Sequence, residues 1–125
     1  MKSVEIKVDP ITQGKFYIKK HEFKSAEEQF LIATKRDPKN VEALWLTSNC
    51  RRNLYKYDEA IETALEATKY GPEDPDALYE LTQLYRAMGQ PAKALKIAEK
   101  MNNIPACQKI FDTEKLVKII QNSMQ

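Results

Sequence analysis

Trp45, Asn49 and Arg52 return in the same order as Tyr79, Gln83 and Arg86, each 34 positions further along the chain. Aromatic answers aromatic, amide answers amide and guanidinium answers guanidinium. Rigid rings offer large contact area at low entropic cost, side-chain amides donate to and accept from an extended backbone, and arginines suit a carboxylate or phosphate. The chemistry open to such residues is peptide recognition, with acidic or C-terminal carboxylate groups as fitting features of the ligand. In the preceding unit the same places hold Ile11, Lys15 and Ile18. The surface therefore begins more apolar, and Ile11, Lys15 and Asn53 are expected as flanking contacts. Plainer readings compete with this one. Trp45 and Tyr79 can pack between structural units, and Arg52 and Arg86 can be solvated charges paired with acids on neighbouring helices, worth little to stability.

Catalytic chemistry has less to draw on. His21 is the single histidine and falls at an expected turn, with no cysteine or acid cluster at metal-ligand spacing around it. Cys50 and Cys107 lie 57 positions apart and read as buried or idle thiols rather than a nucleophile or a bridge. No Gly-rich phosphate loop or nucleophile elbow is present. Glu59, Glu62 and Glu66 follow helical spacing, as a solvated face does. Neither enzyme activity, nor a cofactor, nor a metal site is expected.

Composition narrows the classes further. The chain of 125 residues is 42% apolar and 30% charged with a formal net charge of +2, which describes one domain or part of one. No stretch approaches the roughly 20 apolar residues of a membrane span, and the first residues lack the apolar core of a secretory signal, so the expected address is the cytoplasm. Bases of the first unit (Lys15, Lys19, Lys20, Lys24, Lys35, Arg36 and Lys39) are interrupted by Glu22, Glu27, Glu28 and Asp37. Nucleic acid is accordingly the weaker alternative, and its binding would fall steeply with salt.

What must position the two triads is legible in the spacing. Ala26, Ala60 and Ala94 recur at 34, as do Pro38 and Pro72, and as do Ala33, Ala67 and Met101. A fixed interval of this length marks a solenoid, and apolar residues recurring at three and four positions make each unit a pair of amphipathic helices. Asp9-Pro10, Asn40, Asp58 and Asp74-Pro75 supply expected helix starts. The predicted architecture is an all-α, right-handed superhelix: an N-terminal extension over 1–8, hairpins over 7–40, 41–74 and 75–108, and a capping segment over 109–125. In the last of these, Leu116, Val117, Ile119 and Ile120 share one helical face. Leu44, Thr47, Ser48, Arg51 and Leu54 should face the second helix of their hairpin, the Arg51 head meeting a nearby acid. The triads then face the hollow, with Trp45 and Tyr79 flooring one continuous groove. Phe16 has no preceding unit to cover it. Either Val4, Ile6 and Val8 fold over it, or a second copy does, giving a homo-oligomerising scaffold as the alternative function.

Gly14, Tyr17, Ala26, Phe30, Ala33 and Pro38, together with the stretch Tyr57-Asp-Glu-Ala-Ile-Glu, resemble the tetratricopeptide repeat over about residues 7–108. The resemblance implies a non-catalytic module that binds short protein segments in its concave channel, of the kind that serves in co-chaperones, secretion and organelle assembly. One subset of that family grips the C-terminal carboxylate of chaperone tails. The corresponding places here are Ile11, Lys15, Leu46, Asp76 and Glu80, of which only Lys15 is basic. A chaperone-tail clamp is therefore not expected, and the two acids should repel such a tail.

Overall fold

Four carboxylate or amide side chains start helices as their sequence neighbours dictate. In the computed structural model, which describes residues 8–125, Asp9, Asn40, Asp74 and Asp112 accept the backbone N–H three residues on. They open α1 (Pro10–Lys19), α3 (Val41–Asn53), α5 (Pro75–Ala87) and α8 (Thr113–Ser123). The second helices of the three hairpins, α2 (Phe23–Arg36), α4 (Tyr57–Tyr70) and α6 (Pro91–Met101), have no side-chain cap. Asp58 is thus not a cap: α4 starts one residue before it, which leaves its charge in the first turn, where the helix dipole favours an anion. A short α7 (Pro105–Ile110), opened by Pro105 at its first position, bridges to α8 and crosses the expected boundary at 108. No strand is present among the described residues.

The turn inside each hairpin repeats as faithfully as the helices. His21, Tyr55 and Gly89, again 34 apart, all have positive φ, at 59°, 61° and 70°. Only the third is glycine, so the first two turns hold ordinary side chains in the left-handed region at a cost of about 1–2 kcal/mol each. His21 is exposed, as a turn residue should be.

Small residues decide how closely the helices approach. Ala26, Ala60 and Ala94 are wholly buried, and so are Cys50 and Leu84 at the faces between hairpins. Ser48 Oγ donates to the Ala60 carbonyl at 2.8 Å, fixing the α3–α4 contact through a buried hydrogen bond. Gly14 serves α1 and α2 in the same way. A Cβ built there lies within 2.8 Å of three ring carbons of Phe30, itself fully buried. We expect Gly14→Ala to force that ring aside and to destabilise by about 1–3 kcal/mol, measured by chemical denaturation; an unchanged midpoint would show that the ring has room to move.

At the far end α8 lays Leu116 and Ile120 on the apolar cluster of Leu78, Ala94, Ala98, Met101, Ile104 and Cys107. Val117 packs at its margin. Ile119, expected on the same face, is instead 42% exposed, because it turns toward the hollow side. At the near end Phe16 is 49% exposed and Lys20 Nζ stands 4.5 Å from its ring centroid. Val8 is also exposed; Val4 and Ile6, expected to cover Phe16, lie outside the described residues.

Candidate functional site

The first helices of the hairpins and α8 leave clefts between them, and the triads fall in these clefts. Between α1 and α3 a cleft of 330 Å³ is lined by Lys15, Ile18, Lys19, Trp45, Leu46 and Asn49. Its floor is apolar. Trp45 is half-buried, one part packing on the core of Ala26, Phe30, Leu46 and Cys50 and another on Leu44, Ala67 and Ala77. It therefore both packs between hairpins and faces the hollow. Ile11 packs on the same Ala26–Cys50 core. At the rim Lys15 Nζ meets Glu42 Oε2 at 2.9 Å, with both side chains about half exposed, so the pair holds Lys15 only weakly.

Arg52, Gln83 and Arg86 come together in a second cleft of 560 Å³ between α3 and α5, closed by Ala87, Gly89, Pro91 and Ser123 from α8. The two arginines are not equivalent. Arg52 Nε and Nη2 donate to Glu80 Oε2 and Oε1 at 2.6 and 3.1 Å, a bidentate pair whose carboxylate is 4% exposed. Burial alone would lower the Arg52 pKa, but the hydrogen bonds and charge of Glu80 outweigh it and raise the value. Asn49 Nδ2 donates to the same Glu80 Oε1 at 2.9 Å, and Asn49 accepts from Asn53. Arg52 and Asn49, expected to grip a ligand directly, are thus committed to Glu80, a residue whose role the sequence reading missed. Arg86 differs: it is exposed, donates to Gln83 Oε1 at 3.1 Å, and has no carboxylate within 4 Å among the described residues.

Trp45 and Tyr79 do not floor one continuous groove. Phe111, from the α7–α8 junction, stacks on Tyr79 with centroids 4.5 Å apart and planes 9° from parallel. Tyr79 consequently lies in a third cleft with Phe111, Asp112, Lys115, Leu116 and Ile119, which holds only 190 Å³ and has one face of the Tyr79 ring covered by the chain's own Phe111.

The supposed repulsion of an anionic tail also changes. Glu80 is neutralised by Arg52, which leaves Asp76 alone. Burial, helped by Asp74 and Glu42, pushes the Asp76 carboxyl above its ordinary range.

The remaining reactive groups are quiet. Cys50 is buried with its thiol pushed up to about 12 by burial and by Glu27 and Glu80, and burial raises Cys107 as well. Neither supplies a thiolate at neutral pH. No group of three or more His, Cys, Asp or Glu side chains among the described residues is placed to hold a metal ion, and no described helix is long and apolar enough to cross a membrane.

Comparison with known proteins bears on the fold. Two family models, each described as tetratricopeptide repeat, match residues 11–66 and 53–106, together spanning most of the chain. No curated protein matches it. Among solved structures, the first such domain of Spaghetti (RPAP3), bound to the HSP90 peptide SRMEEVD, superimposes with a TM-score of 0.83 at 16% identity over 92% of both chains. The TPR2B domain of yeast Sti1 in a pHsp70 complex gives 0.78 at 18% identity, covering 91% of this chain and 94% of that one. The Yersinia enterocolitica type III secretion chaperone SycD, in complex with a peptide of the translocator YopD, gives 0.77 at 15% over 98% and 100%. At these identities the likeness is one of fold.

Proposed function

The chain belongs to the tetratricopeptide repeat family, and from that premise we propose that it is a non-catalytic interaction module that holds a peptide segment of a partner protein along the clefts of α1, α3 and α5. The observation that carries this reading is the apolar cleft between α1 and α3, where Trp45, Ile18 and Leu46 offer a preformed seat under a rim of Lys15, Lys19 and Asn49. A half-buried indole held by two apolar clusters loses little entropy when a ligand side chain covers it. The solved relatives named above that hold peptides of HSP90 and YopD support the same use of the fold.

The ligand is not a typical chaperone tail. Of Ile11, Lys15, Leu46, Asp76 and Glu80, only Lys15 is basic, and Leu46 is buried in the core. A second reading, self-association, rests on the exposure of Phe16 at the outer edge; light scattering across a concentration series decides it, since a constant monomer mass removes it.

Trp45→Ala tests the main reading. Peptides selected from a random library by the wild-type chain should lose about thirtyfold in affinity, as central aromatic anchors contribute about 2 kcal/mol or more. Helical circular dichroism and cooperative melting should persist. Equal binding by the variant would remove the cleft from the function, and a collapsed spectrum would place Trp45 in the core.

A further inference from the structure

The outer face of α2 carries a patch that neither the core nor the proposed peptide clefts use. Leu31 and Ile32 are 39% and 41% exposed, and with Glu28, Thr34, Lys35 and Pro38 they line an open depression of 560 Å³. It lies on the side of the helix away from the buried Ala26, Phe30 and Ala33. One period on, the places of Leu31 and Ile32 hold Leu65 and Glu66, and two periods on they hold Glu99 and Lys100. The adjacent apolar pair is thus confined to the first hairpin.

Charge gives the patch a symmetry. At about 100° per residue, Glu28 and Lys35 fall within about 10° of the line midway between Leu31 and Ile32, one at each end of the apolar pair. A half-turn about that midpoint exchanges acid for base. When two copies of α2 meet antiparallel across such an axis, their aliphatic side chains interleave at the centre, and Glu28 of each copy stands opposite Lys35 of the other. Both charges are exposed, and neither has an ion-pair partner within 4 Å among the described residues. Positions 28, 31, 32 and 35 are also the i, i+3, i+4, i+7 set through which one helix touches another. The same rotation relates Lys24 to Lys39, which opposes pairing. That term is small, because α2 ends at Arg36 and Lys39 Nζ stands 5.9 Å from the Tyr70 ring centroid instead of extending the stripe.

We infer that the outer face of α2 is a self-association surface, through which two copies of the chain pair in a two-fold dimer with Leu31 and Ile32 at its centre and Glu28–Lys35 pairs at its ends. An isologous contact of this kind closes at two copies. None of its residues lines the α1–α3 or the α3–α5 cleft, and it uses a different helix from the Phe16 edge. A single helix pair falls at the small end of specific interfaces, so the dimer is weak, half dissociated on the order of 50 µM.

Sedimentation equilibrium of the full chain from about 5 to about 500 µM, spanning that midpoint, is the test. The wild-type mass should rise from monomer toward dimer. Glu28→Lys and Lys35→Glu should each weaken pairing about tenfold, since each sets like charges opposite one another at both ends of the contact. An equal mixture of the two variants should pair as tightly as the wild type, because every acid then faces a base, and so should the chain carrying both changes. Ile32→Glu should remain monomeric with its helical circular dichroism unchanged, whereas Phe16→Ser should pair like the wild type. A wild type that stays monomeric throughout would overturn the surface. So would a mixture or double variant that pairs no better than the single ones, pairing retained by Ile32→Glu, or pairing that Phe16→Ser removes.

Discussion

Glu27→Ala is expected to lower stability by about 3 kcal/mol and the melting temperature by about 10 °C. The Glu27 side chain, on α2 of the first hairpin, is 8% exposed. One oxygen accepts from Arg51 Nε at 2.9 Å and the other from Lys56 Nζ at 3.1 Å, both from the second hairpin. Arg51 is itself mostly buried and extends on to Thr63 Oγ1, which in turn donates to the Glu59 carbonyl. Removing the carboxylate leaves a guanidinium that is only 19% exposed without its counterion, and that largely desolvated charge is where the loss arises. The same pair predicts a pH dependence. Burial pushes the Glu27 carboxyl up, but the hydrogen bonds from Arg51 and Lys56, with their charges, outweigh it and hold the group below its ordinary value. A folded pKa below the unfolded one contributes stability that is fully present above about pH 4.3 and lost as the pH falls through the folded value. Denaturation midpoints of the wild type should therefore drop in acid with a component that Glu27→Ala lacks. A shift below about 2 °C at neutral pH would show that Arg51 finds water or another acceptor.

Much of this was legible from spacing, and what was not has a physical cause. The 34-residue period, the caps at Asp9, Asn40 and Asp74, and the inward turn of Arg51 toward an acid all follow from local pattern, because each is fixed within one or two helical turns. The fate of Arg52 and Asn49 was not local: their partner lies 28 and 31 residues on, across a helix interface. A signal existed. Glu80 stands one period after Leu46, so a carboxylate occupies a register that is apolar and buried in the preceding hairpin. A charge at such a place must bring its partner with it. The partly covered cleft at Tyr79 depends on where α7 bends the chain. Pro105 at the first position of α7 announces that helix, but the stacking of Phe111 depends on its angle to α6, which no periodicity records.

Glu80→Ala should separate stability from recognition in a way that Glu27→Ala cannot. Glu80 accepts three hydrogen bonds, two from Arg52 and one from Asn49, at 4% exposure. Its removal leaves Arg52, 25% exposed, without a counterion, at an expected cost of about 2–3 kcal/mol, near the lower end for a broken buried pair because this guanidinium can turn partly toward the cleft. That same turn matters for binding. The α3–α5 cleft would gain a second uncompensated guanidinium beside Arg86, so affinity for acidic peptides should rise by severalfold even as the melting temperature falls, whereas Glu27→Ala, whose partners Arg51 and Lys56 do not line that cleft, should leave peptide affinity unchanged. Converting the pair to apolar residues, Arg52→Met with Glu80→Leu, should recover most of the lost stability, since well-packed replacements for buried ion pairs are often neutral or better, while acidic peptides gain nothing. Chemical denaturation and peptide anisotropy on the three variants measure both quantities. If Glu80→Ala weakens acidic peptides instead, the carboxylate is organising Arg52 and Asn49 for the ligand rather than withholding them, and the cleft's selectivity originates in the whole network rather than in Arg86.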